Sequence, residues 1–366
     1  MIRKALSLSA VSLIATLAAF SAAAQEKVVN VYNWSDYIDQ SIIEEFTKET
    51  GIKVVYDVYD SNEILETKLL AGGSGYDVVV PTASPFLARQ IEAGVYQKLD
   101  KSKLPNLSNM WDVVAKRMEP FDPGNEYSVN YMWGTTGIGY NTKKIKEVLG
   151  LDAVDSWDVV FKPEMIAKLK DCGVMVMDSP TDVVPTALKY LGLDPDSTSQ
   201  EDFAKAEELL LAIRPSIRKF HSSELINALA NGDICLAVGY SGDLFQARDR
   251  AAEANQGVEI AYVIPKEGAE MWFDQMAVPA DAKHVDEAHT FINYMMKPEV
   301  AAKASNFVFY ANGNKASQPL LDKEVSGDPA IYPDEATMAK LFTVGVHDPK
   351  TQRLVTRLWT KVTTGQ

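Results

Sequence analysis

The sequence predicts an α/β protein built as two lobes with a cleft between them. Three observations lead there. The first third alternates strand-like and helix-like segments in βαβαβα order, which implies a mainly parallel sheet with helices on both faces. Polar residues stand beside aromatic ones at strand ends in both halves of the chain, and open α/β sheets bind ligands at the carboxyl ends of their strands. The 366 residues leave room for two domains even after an N-terminal leader is set aside.

The first strand is KVVNVYN (27–33), and it stops at Ser35-Asp36, bracketed by Trp34 and Tyr37. SDYIDQSIIEEFTKETG reads as a helix, because Ile38, Ile42 and Phe46 recur at helical spacing. Ser35 or Asp36 stands where its cap belongs, and Gly51 closes it. IKVVYDVYD is the next strand. SNEILETKLLAGG is the next helix, capped by Ser61 or Asn62. YDVVVP is apolar enough for a strand buried on both faces, and PFLARQIEAG is a third helix. Pro81-Thr82-Ala83-Ser84 follows the third strand, so this polar cluster shares a sheet edge with Trp34-Ser35-Asp36.

A second unit begins near YMWGTTGIGYN (131–141), whose three glycines mark a tight or crossing segment. TKKIKEVLG is a helix and GVMVMD (173–178) a strand. Two helices, EDFAKAEELLLAIRP and SSELINALANG, precede ICLAVGY (234–240), a buried strand ending in the polar turn SGD. GVEIAYVIP and AEMWFDQMAVP read as strands paired with each other. VDEAHTFINYMMKP, EVAAKASNF and shorter helices complete the chain.

The N-terminus carries Arg3 and Lys4, then an apolar run ending in Ala22-Ala23-Ala24. This is the pattern of a secretory signal peptide, residues 1–24, cleaved after Ala24. No Cys stands at that site, so no lipid anchor is expected. No later run is long enough for a membrane span, so the mature chain is expected to be soluble and exported. Removing the leader leaves 342 residues and, with its two cations gone, a net charge of −16 instead of −14. That acidity argues against a nucleic-acid partner. It suits cationic solutes, and equally a surface charged for solubility. Cys172 and Cys235 form an even pair in an exported chain, which favours one disulfide over two buried thiols. Their 63-residue separation excludes a CxxC redox motif.

No catalytic constellation emerges. His221, His284, His289 and His347 are scattered and read as polar surface residues. GYSGD (239–243) fails the nucleophile-elbow pattern because Asp243 occupies its last position, and GTTGIG (134–139) is not a dinucleotide fingerprint. Four aspartates stand out instead. Asp36 lies beside Trp34 and Tyr37, Asp243 beside Tyr240 and Phe245, and Asp274 beside Trp272 and Phe273; Asp178 fits the pattern less well. Each alone has the ordinary reading of a cap or turn residue. Together, carboxylates beside rings suit an alkylammonium ligand. The carboxylate offers a charge-assisted hydrogen bond, and the ring face offers cation–π attraction and cover for methylenes.

The stretches YNWSDYI, ETGIKVVYDVYDSNE, DVVVPTAS, YMWGTTGIGYN, DSWD, RKFHSS, LANGDICLAVGYSGD, IPKEGA and VFYANGNKAS give the chain a familiar look. Along essentially its whole mature length it resembles the polyamine-binding periplasmic receptors of ABC uptake systems, most of all the putrescine-binding type. The resemblance implies a two-lobed, type II-like periplasmic binding protein with the ligand in the interlobe cleft. It implies hinge closure read by an inner-membrane ABC permease, a monomer, no cofactor or metal and no covalent chemistry. The implied lobes are 25–134 plus 259–310 and 135–258 plus 311–366.

Carried over by motif, Trp34, Ser35, Asp36 and Tyr37 form the first cleft segment, with Asp36 on an ammonium. Thr82 and Ser222 are polar cleft positions, and Asp243 and Asp274 are the main carboxylates. Tyr240, Trp272 and Tyr310 are aromatic walls. The family also pairs Cys172 with Cys235. Two positions depart from the putrescine type: Thr181 stands for a glutamate, and Tyr240 for a tryptophan. Asp182 adjoins Thr181, but adjacent side chains usually point apart. These departures leave spermidine, cadaverine, agmatine or a monoamine open as ligands. A sensing role in place of uptake, an amine-modifying enzyme and an anion receptor are the rival functions.

Overall fold

The computed structural model describes residues 27–365; the expected signal peptide lies outside them. Ten strands form one sheet in the order β2-β1-β3-β9-β4-β7-β5-β6, with β8 and β10 also paired to β4. The strands are β1 (Val28–Trp34), β2 (Lys53–Tyr59), β3 (Val78–Val79), β4 (Ser128–Asn141), β5 (Val174–Val176), β6 (Lys219–Phe220), β7 (Leu236–Tyr240), β8 (Ile260–Val263), β9 (Met271–Ala277) and β10 (Ala311–Asn312). β1 pairs with β2 and β3 in parallel, and β5 with β6 and β7 in parallel. Each half therefore has the parallel, helix-covered sheet that the alternating pattern requires.

β4 joins the halves. Its first part, Ser128–Thr135, pairs antiparallel with β9, and Met132 and Trp133 pair with β10. From Thr136 onward it pairs with β7, and from Ile138 with β8. The glycine-rich stretch is thus a 14-residue strand crossing between the halves. Gly134 is needed where it crosses, since a Cβ there would lie 2.7 Å from the Trp272 ring. GVEIAYVIP and AEMWFDQMAVP are strands as expected, but β8 and β9 each pair with β4 and not with each other. β4 is long enough to serve both.

Two hydrophobic cores flank the crossing. Val29, Ile42, Phe46, Val78 and Ile292 lie in one. Ile138, Trp157, Val176 and Leu236 lie in the other, with Leu358 and Val362 from the C-terminal helix Pro349–Thr364. A smaller cluster holds Trp133, Phe245, Phe273, Phe309 and Ile331. Packing departs from the expected lobe limits at two places. Ile260 of β8 belongs to the second core, so the chain returns to the first after Val263. Ala311, Leu321 and Val325 pack with Trp133 and Phe273 instead of the second core. The disulfide Cys172–Cys235 ties the entry of β5 to that of β7.

α1 (Gln40–Thr50) starts later than its sequence pattern implies. Its cap is Asp39, which accepts the Ser41 N–H, and not Ser35 or Asp36. Asp36 has φ 53°, a left-handed turn incompatible with starting a helix there. α2 (Asn62–Leu70) is capped by Ser61. One histidine departs from the surface reading: His289 is 1 % exposed. Its Nε2 accepts the Asp100 N–H at 2.9 Å and its Nδ1 donates to the Val285 carbonyl at 2.7 Å.

Candidate ligand-binding site

A cavity of about 410 Å³ opens between the two cores, at the carboxyl ends of β1, β2 and β7. Two carboxylates dominate it. Asp274 projects from β9 and is 4 % exposed; Thr82 Oγ1 donates to it at 2.7 Å and Tyr37 OH at 2.8 Å. Asn62 holds Thr82 in place, with Nδ2 donating to Thr82 Oγ1 at 2.8 Å and Oδ1 accepting the Thr82 N–H at 3.1 Å. Asp243 lies in the first turn of the helix Ser241–Ala254, where the helix dipole favours an anion. Tyr310 OH donates to Asp243 Oδ1 at 2.8 Å and accepts its N–H at 3.1 Å. This contact needs Gly242, whose Cβ would fall 2.3 Å from the Tyr310 ring.

Burial pushes Asp243 and Asp274 up to about 7, against the pull of their hydroxyl donors. All of those donors are neutral. Among the described residues neither carboxylate forms an ion pair. Two carboxylates desolvated in this way and held by neutral donors are able to accept a positive charge.

An arc of rings covers the space between them. Centroid separations are 6.0 Å for Trp34–Tyr240, 5.3 Å for Tyr240–Trp272, 5.3 Å for Trp272–Tyr310 and 5.1 Å for Tyr310–Tyr37. The arc draws on both halves of the chain and offers ring faces and edges to a thin, flexible cation. At its Tyr240 end lies Asp182, in the first turn of the helix Pro180–Tyr190. Asp182 accepts from Thr136 Oγ1 at 3.0 Å, from Tyr240 OH at 3.4 Å and from Ser179 Oγ. Burial pushes it up to about 6, and Glu63 on α2, within its electrostatic reach, up to about 7.

The mouth is tied across the two halves. Asp60 Oδ1 accepts from Ser35 Oγ at 2.7 Å and from Ser223 Oγ at 2.6 Å. Arg250 Nη2 meets Asp36 Oδ1 at 2.6 Å, and Gln246 Nε2 donates to the Asp36 carbonyl at 3.2 Å.

Of the residues expected in the cleft, Trp34, Ser35, Tyr37, Thr82, Ser222, Tyr240, Asp243, Trp272, Asp274 and Tyr310 line this cavity. Asp36 and Thr181 do not. Asp36 is exposed on the rim in its pair with Arg250. Thr181 lines a second cavity of about 350 Å³, with Pro85, Phe203 and His347. Asp178 is on the surface, accepting the Trp359 Nε1–H at 2.8 Å. Sequence reasoning missed Tyr59, Asp60 and Ser223 in the lining. Tyr59-Asp60 ends the second strand, so the strand-end rule that found Trp34 could have found it.

Two halves sharing a crossing strand, with an aromatic and acidic cavity between them, define a solute-binding protein. The chain belongs to the bacterial extracellular solute-binding proteins, whose family model matches residues 41–333. It is 56% identical over 360 residues to the putrescine-binding periplasmic protein SpuD of Pseudomonas aeruginosa, covering 98% of each chain. It is 56% identical over 346 residues to the putrescine-binding periplasmic protein PotF of Escherichia coli, covering 94% of this chain and 93% of that one. Its fold matches the spermidine/putrescine ABC transporter substrate-binding protein PotD of Streptococcus pneumoniae with a TM-score of 0.75 and 30% identity, over 93% of this chain and 99% of that one.

Proposed function

We propose that the protein is a periplasmic receptor that captures a polyamine, putrescine first, in the interlobe cleft and delivers it to an ABC permease. The observation that carries this reading is the pair Asp243 and Asp274, the first half-buried and the second buried, both raised to about 7 and, among the described residues, both held by neutral donors. One ammonium lies against these two carboxylates, the methylenes run along the rings from Tyr310 to Tyr240, and the far ammonium faces Asp182. The names of the two relatives at 56% identity support the same ligand. The receptor acts as an exported monomer and binds without chemistry; its carboxylates serve as charge partners.

The magnitudes agree. A micromolar receptor needs about −8 kcal/mol. Desolvated ammonium–carboxylate contacts plus aromatic cover supply this after the costs of association. The test is a thermal-shift panel on mature protein stripped of carried-over ligand, with putrescine, cadaverine, spermidine, agmatine, γ-aminobutyrate and neutral amino acids. At roughly 1,000 times its Kd a ligand stabilises by about 4 kcal/mol, a shift of several degrees. Putrescine is expected to give such a shift, and Asp274→Asn and Asp243→Asn to weaken its binding more than tenfold by calorimetry. An unshifted wild type with every amine overturns the reading.

A further inference from the structure

Glu270 precedes β9 and is 4 % exposed, and among the described residues its buried Oε2 has no hydrogen-bond partner. No role falls to it in the amine site as described so far. Its place follows from strand register. Gly134 pairs with Trp272 and Thr135 with Met271, and the Thr136 N–H donates to the Glu270 carbonyl at 3.0 Å, which continues the ladder by one step. On its other side Thr136 pairs with Tyr240. Directly opposed residues place their side chains on the same face of a sheet, with Cβ atoms about 5 Å apart. Glu270, Thr136 and Tyr240 therefore stand in a row on the face that carries Trp272, and Tyr240 and Trp272 are cavity walls.

Asp182 completes the row. Thr136 Oγ1 donates to its Oδ1 at 3.0 Å, and Tyr240 OH reaches its Oδ2 at 3.4 Å. Two buried carboxylates, Asp182 and Glu270, thus flank one threonine just behind the Tyr240–Trp272 wall. Trp272 Nε1, on the same face, is also buried with no partner among the described residues. Burial pushes Glu270 well above the usual carboxylate range, and the nearby Asp182 adds to it. Isolated buried carboxylates are costly, and a cation between the two offsets that cost.

We propose that Asp182 and Glu270 form an inner acidic subsite, gated by Tyr240, that takes the far cationic nitrogen of an amine longer than a four-carbon diamine. The proposal rests on the amine-receptor reading and extends it to chain length. A short diamine spans from Asp243 and Asp274 to the near side of Asp182 and leaves Glu270 untouched. A triamine or a six-carbon diamine reaches past Tyr240 to both acids. Glu270 then sets length preference without setting affinity for putrescine.

The experiment is calorimetric titration of wild type and Glu270→Gln with 1,4-diaminobutane, 1,6-diaminohexane and spermidine. The glutamine keeps shape and removes charge. Glu270→Met, apolar and of similar length at the same buried position, repeats the test should the amide fold poorly. The expected result is roughly tenfold weaker spermidine and 1,6-diaminohexane binding, with 1,4-diaminobutane unchanged within about twofold. Equal loss for all three ligands makes Glu270 a distant field only and overturns the subsite, as does no loss for any. Absence of amine binding in wild type itself overturns the receptor reading, and the subsite falls with it. Amine binding that Asp274→Asn abolishes while Glu270→Gln leaves every length unchanged overturns the subsite alone.

Discussion

Arg250 and Asp36 meet across the mouth of the cleft, Nη2 to Oδ1, at 2.6 Å. Arg250 sits on the helix that begins with Ser241 and Asp243, and its Nη1 also donates to Asn227 at 2.8 Å. Gln246 on the same helix holds the Asp36 carbonyl. Helical spacing puts Asp243, Gln246 and Arg250 on one face, so the helix that brings a carboxylate to the cavity also grips the opposite half. Asp36 reaches it through a left-handed φ of 53°, a conformation a non-glycine residue holds only when its surroundings demand it. Asp36 thereby joins the two halves at the rim of the cavity and stays out of its lining.

The pair is about one-third exposed on each side, so its worth is about 0.2–1 kcal/mol. Arg250→Ala is expected to weaken putrescine binding by about two- to fivefold, through faster dissociation, and more at low salt than at high. Exchanging the charges, Asp36→Arg with Arg250→Asp, should restore part of the loss. Stopped-flow dissociation rates check both. A more than tenfold loss in Asp36→Asn with Arg250→Ala silent would return Asp36 to the ligand.

Asp243 and Asp274 titrate near 7 and Asp182 near 6, each raised by burial. An ammonium favours their charged forms, so binding releases protons, and affinity is expected to rise from pH 5.5 to pH 8. Without ligand the sign is opposite. The folded state keeps these protons above the unfolded carboxylate pKa of about 3.9, so the stability they lend is full below that pH and is lost as pH rises through about 7. Melting curves with and without putrescine at pH 5, 6, 7 and 8 should therefore diverge. A ligand-induced shift independent of pH would refute the protonated resting state.

Most of this site was legible because it is built at strand ends. Trp34 ends β1 and Ser35 and Tyr37 follow it, Thr82 follows β3, and Asp243 follows β7, so a one-dimensional strand pattern brings them to one edge. Asp36 lies in the same segment, but its backbone turns away, and no pattern of residue types encodes a positive φ at an aspartate. Asp182 and Thr181 are neighbours in a first helical turn, where one residue of phase puts Asp182 against Tyr240 and Thr136 and Thr181 into the second cavity. Glu270 needed the register of β9 on β4, which depends on pairing between segments more than 130 residues apart. β8 and β9 were recognised as strands, yet their shared partner was hidden, because pairing choice is tertiary.

The Cys172–Cys235 bridge closes a 63-residue loop in the second core. A loop of that length removes unfolded-state entropy worth about 4 kcal/mol. Cys172→Ser with Cys235→Ser is expected to lower the melting temperature by several degrees while leaving putrescine affinity within about twofold, since neither cysteine lines the cleft. A change in affinity larger than the change in stability would show that the bridge shapes the cavity.

Asp182, and not Thr181, is the residue beside the aromatic arc. Its carboxylate lies 3.4 Å from Tyr240 OH, on the aromatic arc, whereas Thr181 faces Pro85, Phe203 and His347 in the other cavity. Asp182→Asn keeps the shape and lets Ser179 and Thr136, whose hydroxyls rotate, re-form their bonds, but it removes the negative charge at that end. Putrescine binding is expected to weaken at least fivefold, because a charge-assisted contact becomes a neutral one. Thr181→Ala removes one hydroxyl outside the cleft and should change affinity by less than twofold. Combining Asp182→Asn with Tyr240→Phe should cost less than the sum of the single losses, since Tyr240 acts on that end partly through Asp182. The reverse outcome, a silent Asp182→Asn with a large loss in Thr181→Ala, would move the far ammonium into the cavity beside His347.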